Sequence, residues 1–341
     1  MGRIRVRQSV LLIAVSTAVA LATASYASAG SGQVGAAGQA SEAGRAPVFH
    51  WRHPEPATIP PAMSGAAMAY DADTSQTILL GGSTDDHYSA QTWAWADGRW
   101  AQLHPEHSPS SRDYHAMTYD PVRRQIVLFG GEHFGDVVGD TWIFDGVDWT
   151  RVHPATTPQA VEYASMAFDP ALGQVVLFGG LTAGRTPTDA MWRWDGADWV
   201  QLRSRRAPSA RYGAGLAYDP SRQALVLVGG FRVDRQSRET WTWDGVRWTE
   251  LRHVDAPPRA HAVVTTVGQQ VALFGGKHHL FAEGDTWILT AEGWQQIHIH
   301  TPPEHRAFAA AAWDPDLRRV VMFGGTGSGG QTYDDTWLLR R

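Results

Sequence analysis

Arginine, tyrosine, histidine and glutamate recur at one kind of place in this chain, shortly before an apolar strand. The set is Arg112, Tyr114 and His115, then Glu162 and Tyr163, Arg211 and Tyr212, Arg259 and His261, and finally Arg306. A guanidinium can clamp a carboxylate or phosphate through two parallel bonds. Phenol rings offer a stacking surface to a sugar, and a glutamate near a histidine supplies an acid and a base. His133 and His278 stand just beyond glycine doublets instead, and imidazole is a metal-ligand type. No local catalytic signature accompanies them. GxSxG, HExxH and Walker A are absent, and no GxGxxG stands in a strand–helix context. The chain has no cysteine, which removes thiol nucleophiles, cysteine-held zinc and disulfides together.

The elements that must position these residues repeat six times. Apolar runs end in glycine doublets that begin at Gly81, Gly130, Gly179, Gly229, Gly275 and Gly324, spaced by 49, 49, 50, 46 and 49 residues. Trp93, Trp142, Trp192, Trp241, Trp287 and Trp337 follow in step, and a second series holds Trp100, Trp149, Trp199, Trp248 and Trp294. In the second unit, four strands are predicted at 115–120, 125–131, 140–145 and 148–154, joined by turn-rich YDPVRRQ and Asp-Gly corners. Four antiparallel strands repeated six times predict an all-β fold, a six-bladed β-propeller. The last unit lacks a fourth strand, whereas VFHWRHP at 48–54 looks like one. The N-terminal segment is therefore expected to close the last blade, with either Phe49 or Trp51 in the tryptophan position.

Composition bounds the function further. Of 341 residues, 43% are hydrophobic and 16 are Trp, enough for a large core. Arg3, Arg5 and Arg7 precede an apolar run from Val10 to Ala24 and an Ala27-Ser28-Ala29 cleavage pattern. Residues 1–29 thus read as a secretory signal peptide, 30–46 as a flexible Gly/Ala/Ser/Gln linker, and 47–341 as the propeller. Cleavage removes three Arg and no acid, so the net charge of −5 becomes −8. An acidic, exported chain is a poor nucleic-acid binder. No membrane attachment is expected after cleavage, and the protein is expected to be a secreted monomer.

The unit resembles the kelch repeat. VLFGG, the spaced Trp142 and Trp149, and Arg112 with His115 opening the innermost strand carry that resemblance across roughly residues 48–341. Kelch propellers include binding modules, sugar epimerases and oxidases, so the resemblance speaks for fold more than for activity. The copper oxidase type needs a cysteine crosslinked to tyrosine, which this chain cannot supply. In kelch repeats the entry arginine often bonds backbone between blades, and a histidine at the inner strand is part of the pattern. No metal or other cofactor is expected. With the first strand innermost, the 2–3 and 4–1 connections share one face. They are the variable segments, such as EHFGDVVG, and all the candidate residues gather with them. The expectation is a non-catalytic binding module whose funnel face, through these twelve residues, takes a glycan, a peptide or a cell-surface protein. The alternative is a sugar epimerase or mutarotase-like enzyme with its site in the same funnel.

Overall fold

A computed structural model describes residues 49–84 and 87–340; the expected signal peptide and linker lie outside the described residues. Six four-stranded antiparallel sheets surround an axis, and the first strand of each unit is innermost. Blade two, for example, comprises Ala116–Asp120, Gln125–Phe129, Thr141–Phe144 and Trp149–Val152. The inner strands begin with small residues such as Ala116, Gly215 and Ala310, as crowding toward an axis requires. The second strands, such as Gln125–Phe129 and Arg319–Phe323, are buried along nearly their whole length because both faces contact neighbouring blades. Among the described residues no helix is long and apolar enough to cross a membrane.

The ring closes as the repeat predicts. His50–Arg52 pairs antiparallel with Thr336–Arg340 and completes blade six. Trp51 stands opposite Leu339, the place that Trp149 takes opposite Phe144, so Trp51 and not Phe49 holds the tryptophan position. Its indole donates to Thr286 Oγ1 of blade five at 3.2 Å. The same bond joins Trp100 to Thr336, Trp149 to Thr92, Trp199 to Thr141 and Trp294 to Thr240, at 2.8–3.0 Å. Blade three begins its third strand with Met191 instead of threonine, and there Trp248 contacts the sulfur at 3.2 Å. Each fourth strand is thus fastened to the blade before it, in a closed circle.

The glycine doublets make a second circle. A Cβ on the first glycine would lie 2.4–2.6 Å from the carbonyl oxygen of the next blade's entry residue, and both glycines have positive φ. The second glycine's N–H donates to that same carbonyl, as Gly131 does to Val161 at 2.9 Å. Only a residue without a Cβ permits this approach. The doublets join blades, and their N–H groups are spent on protein carbonyls.

Trp51→Ala removes both a large buried ring and one link of the tryptophan circle. The expected loss is about 3–5 kcal/mol of stability in urea unfolding, whereas Thr286→Val, which removes only the bond, costs roughly 1 kcal/mol.

Candidate functional site

The four entry arginines are buried, and each is paired with an acid. Arg112 donates to Asp140 through both Nη atoms at 2.7 and 3.0 Å, to the Gly130 carbonyl at 3.0 Å and to Ser110. Arg211 binds Glu239 at 2.5 Å, Arg259 binds Asp285 at 2.8 Å, and Arg306 clamps Asp335. Each acid also accepts from the tryptophan two residues on: Asp140 from Trp142, Glu239 from Trp241, Asp285 from Trp287 and Asp335 from Trp337. Blades one and three lack both partners. There Met63 and Val161 stand at the arginine position, and Gln91 and Ala190 at the acid position. Arginine and acid are present together or absent together, which marks the pair as a blade-to-loop clasp.

The next residues form the floor of the loop face. Gly65, Tyr114, Tyr163, Gly213, His261 and Phe308 all adopt positive φ, between 53° and 70°. The N–H of each donates to the carbonyl of the preceding one, Tyr114 to Gly65 at 2.8 Å and finally Gly65 to Phe308 at 2.9 Å. This third circle lies at the axis. Its four side chains pack together: Tyr114 on Tyr163 at 4.2 Å between ring centroids, His261 on Phe308 at 4.3 Å and Tyr163 on His261 at 4.8 Å. Glycine at the other two places is a steric requirement, because a Cβ on Gly213 would lie 2.4 Å from the His261 ring. The funnel expected on this face is therefore closed by an aromatic plug. Tyr212 is not part of the peptide circle, but its ring borders the plug, 5.8 Å from Tyr163 and 5.9 Å from His261, and stacks on Phe231 at 5.5 Å.

His115 and His261 are not counterparts. His261 takes the place of Tyr114, whereas His115 lies one residue deeper, where the other blades carry alanine. Its ring is buried between blades one and two with neither nitrogen partnered, and burial pushes it down to about 3. Burial does the same to His261. Both are neutral at pH 7. His133 bonds the Ser111 carbonyl at 2.5 Å, and His278 lies 3.7 Å from Glu283 with its ring against His279. Among the described residues no three His, Asp or Glu side chains are arranged to hold a metal ion.

Glu162 belongs to a group whose other members the strand pattern does not disclose. In each unit the residue after the arginine position pairs with the residue after the doublet, as Asp113 does with Glu132. Asp113 and Glu162 also follow one another around the plug. Three carboxyls so converge beside Tyr114 and Tyr163. Asp113 and Glu162 are almost wholly buried, and each keeps one unpartnered oxygen. Asp113 otherwise accepts from Ser83 at 2.7 Å, Glu162 from Arg185 at 2.8 Å, and Glu132 from Tyr88 and the Gly135 N–H at 2.8 Å. Desolvation first, and the neighbouring carboxylates second, raise both Asp113 and Glu162 to about 7. They are poised to exchange a proton at neutral pH. Across the plug, in opposite blade five, Lys277 takes the place of Glu132, with its ammonium 5.0 Å from the Phe308 ring centre. The signal for Glu132 was EHFGDVVG, the part of its unit that no other copies; Asp113 was legible only as the neighbour of Tyr114, matching Glu162 before Tyr163.

No protein-family model matches the chain. An alignment 88 residues long, which covers 24% of the chain, shows 33% identity to the alpha chain of the flagellar outer arm dynein of Chlamydomonas reinhardtii. The chain spans about 2% of that relative's length.

Two tests follow from this geometry. Arg112→Met or Asp140→Gln alone leaves a buried partner uncompensated, whereas the double variant copies blade one. A double-mutant cycle is expected to return a coupling of about 1–3 kcal/mol. For Glu162 the folded protein binds its proton more tightly than the unfolded chain does. Its contribution is complete below pH 4.5 and is lost as pH rises through about 7. His115 and His261 act oppositely, losing stability as pH falls from 6.5 toward 3. Relative to Glu162→Gln, the wild type should therefore lose urea resistance between pH 4.5 and 7; a constant difference would show that Glu162 does not hold its proton.

Proposed function

We propose that this protein is an exported, kelch-type binding module that takes a glycan on its loop face; a peptide or cell-surface protein is the other partner class suited to that face. The supporting observation is the aromatic floor of Tyr114, Tyr163, His261 and Phe308, flanked by Asp113, Glu132 and Glu162 on one side and Lys277 on the other. Aromatic rings offer a platform to the apolar face of a sugar. Glu132, which is only half-buried, can accept from the sugar hydroxyls, and the half-buried Lys277 ammonium on the other side can donate to them. The plug keeps the site shallow, which suits binding along an extended chain. Phe134 and Phe281, both 67% exposed on the loops above, would widen the contact.

A second reading, a sugar epimerase or mutarotase-like enzyme, has one observation in its favour. Asp113 and Glu162 titrate near 7 beside the same floor, and an acid and a base are what proton exchange at a sugar carbon needs. The two readings part in one experiment. The purified protein is screened on a glycan array, and its best ligand is then followed by NMR for anomer or epimer conversion. Retention of glycans without turnover is expected, with binding weakened about tenfold or more in Tyr163→Ala. Turnover abolished by Glu162→Gln would establish the enzyme instead, and a blank array together with tight binding to a peptide would replace the glycan.

A further inference from the structure

The other end of the axis is open. On the face of the short 1–2 turns a recess of about 400 Å³ enters the propeller. Tyr70, Tyr119, Phe168, Tyr218 and Trp313 line it, one from each of five blades, with Thr266 from the remaining one. All six are the next-to-last residues of inner strands. At the loop end the aromatic residues pack within 4.2–6.2 Å of one another. Rings at this end instead stand apart around a space. Deeper in, Met68, Met117 and Met166 supply a soft, polarizable wall. The volume falls in the range of small-molecule sites.

Charge lies just behind the aromatic wall and not on it. No charged side chain lines the recess. Tyr119 donates its hydroxyl to Asp73 at 2.6 Å, and Tyr70 donates to Asp316. A phenol that donates to a carboxylate has a more electron-rich ring. Further carboxyls, Asp71, Asp120, Asp169, Asp219 and Asp314, end five of the inner strands and accept turn N–H groups. Several arginines share this face, among them Arg318 and Arg319 in the blade-six turn and Arg247 in blade four. Arg123 and Arg222 bridge Asp120 and Asp219 to carbonyls of Asp195 and Thr290, and Arg124 lies outside on Asp73. None enters the recess.

We propose that this recess is a second binding site, separate from the loop face, for a compact organic cation of the quaternary ammonium class. No carboxylate lines the wall to pair with a primary ammonium or to replace the water shell of a metal ion. A quaternary ammonium carries no N–H donors. It gains from aromatic faces and from carboxylates one ring away. A neutral hydrocarbon of the same shape gains only burial, and the difference between the two isolates the electrostatic contribution.

Titration calorimetry of the purified protein with choline and with its neutral tert-butyl isostere, carbon in place of nitrogen, tests this directly. Choline is expected to bind about tenfold or more tightly than the isostere, the fold-change that corresponds to a cation–π contribution of roughly 1–2 kcal/mol. Trp313→Leu and Tyr119→Leu should each weaken choline about tenfold. Tyr119→Phe keeps the ring, so it should lose about threefold at most, and it guards against a variant that fails to fold. Equal affinity for the two probes would overturn the proposal and leave a plain apolar recess. Absence of choline binding at millimolar concentration would overturn it as well. Glu162→Gln lies at the far end and is expected to leave choline binding unchanged, so failure of the glycan reading and failure of this one are distinguishable.

Discussion

Around the axis six peptide N–H groups donate to the carbonyl of the preceding blade, and the circle closes only because blade six reaches blade one. Such a ring tolerates no gap, since each donor is fixed by the blade on either side. Two further circles enforce the same geometry farther out. The doublet glycines join each blade to the next one's entry residue, and the fourth-strand tryptophans reach back to the blade before. The outermost circle depends on Trp51, which arrives from the other end of the chain. Closure thus sets where the entry residues stand, and the entry residues are the loop-face floor.

That floor carries strain. Tyr114, Tyr163, His261 and Phe308 hold left-handed backbone conformations, which cost bulky residues about 1–3 kcal/mol each. Glycine at all six places would remove the cost, and it occurs at only two of them. The rings are held there by the peptide circle beneath them and by mutual stacking. A preformed platform loses little entropy on binding, which is how a shallow site gains affinity.

Much of the fold was legible because its determinants are spaced by the repeat: the doublets, both tryptophan series and the closing strand. The resemblance to kelch repeats rested on those same residues. The arginine clasp was half legible. Arg112 and Asp140 are 28 residues apart, but their joint absence from blades one and three appears in the sequence once the pair is known. The nonequivalence of the histidines was also there to count: His115 stands three residues after Arg112, and His261 only two after Arg259. What could not be read was the closing of the axis. Tyrosine, histidine and phenylalanine give no local signal for positive φ, and only Gly65 and Gly213 at matching places hinted at it. Nor could the convergence of Asp113, Glu132 and Glu162 be read, because it depends on pairing between a strand entry and a loop and on the curvature of the ring.

The plug has a consequence for how the two ends of one axis can differ. Both are built from the same inner strands, and both carry aromatic residues from most blades. At the loop end the chain turns inward in left-handed conformation, so the rings meet and exclude a ligand from the axis. At the turn end the strands are still in regular β pairing up to their last residue, so side chains alternate and the rings stay at the radius of the barrel wall. Between them lies His115, a neutral imidazole buried between blades one and two at a level where the other blades carry alanine. A molecule entering from the turn face meets aromatic rings and then methionines. One held on the loop face meets rings, carboxyls and Lys277. The backbone conformation of six residues is therefore what separates an uncharged recess at one end from a charged, shallow face at the other within a single inner layer of strands.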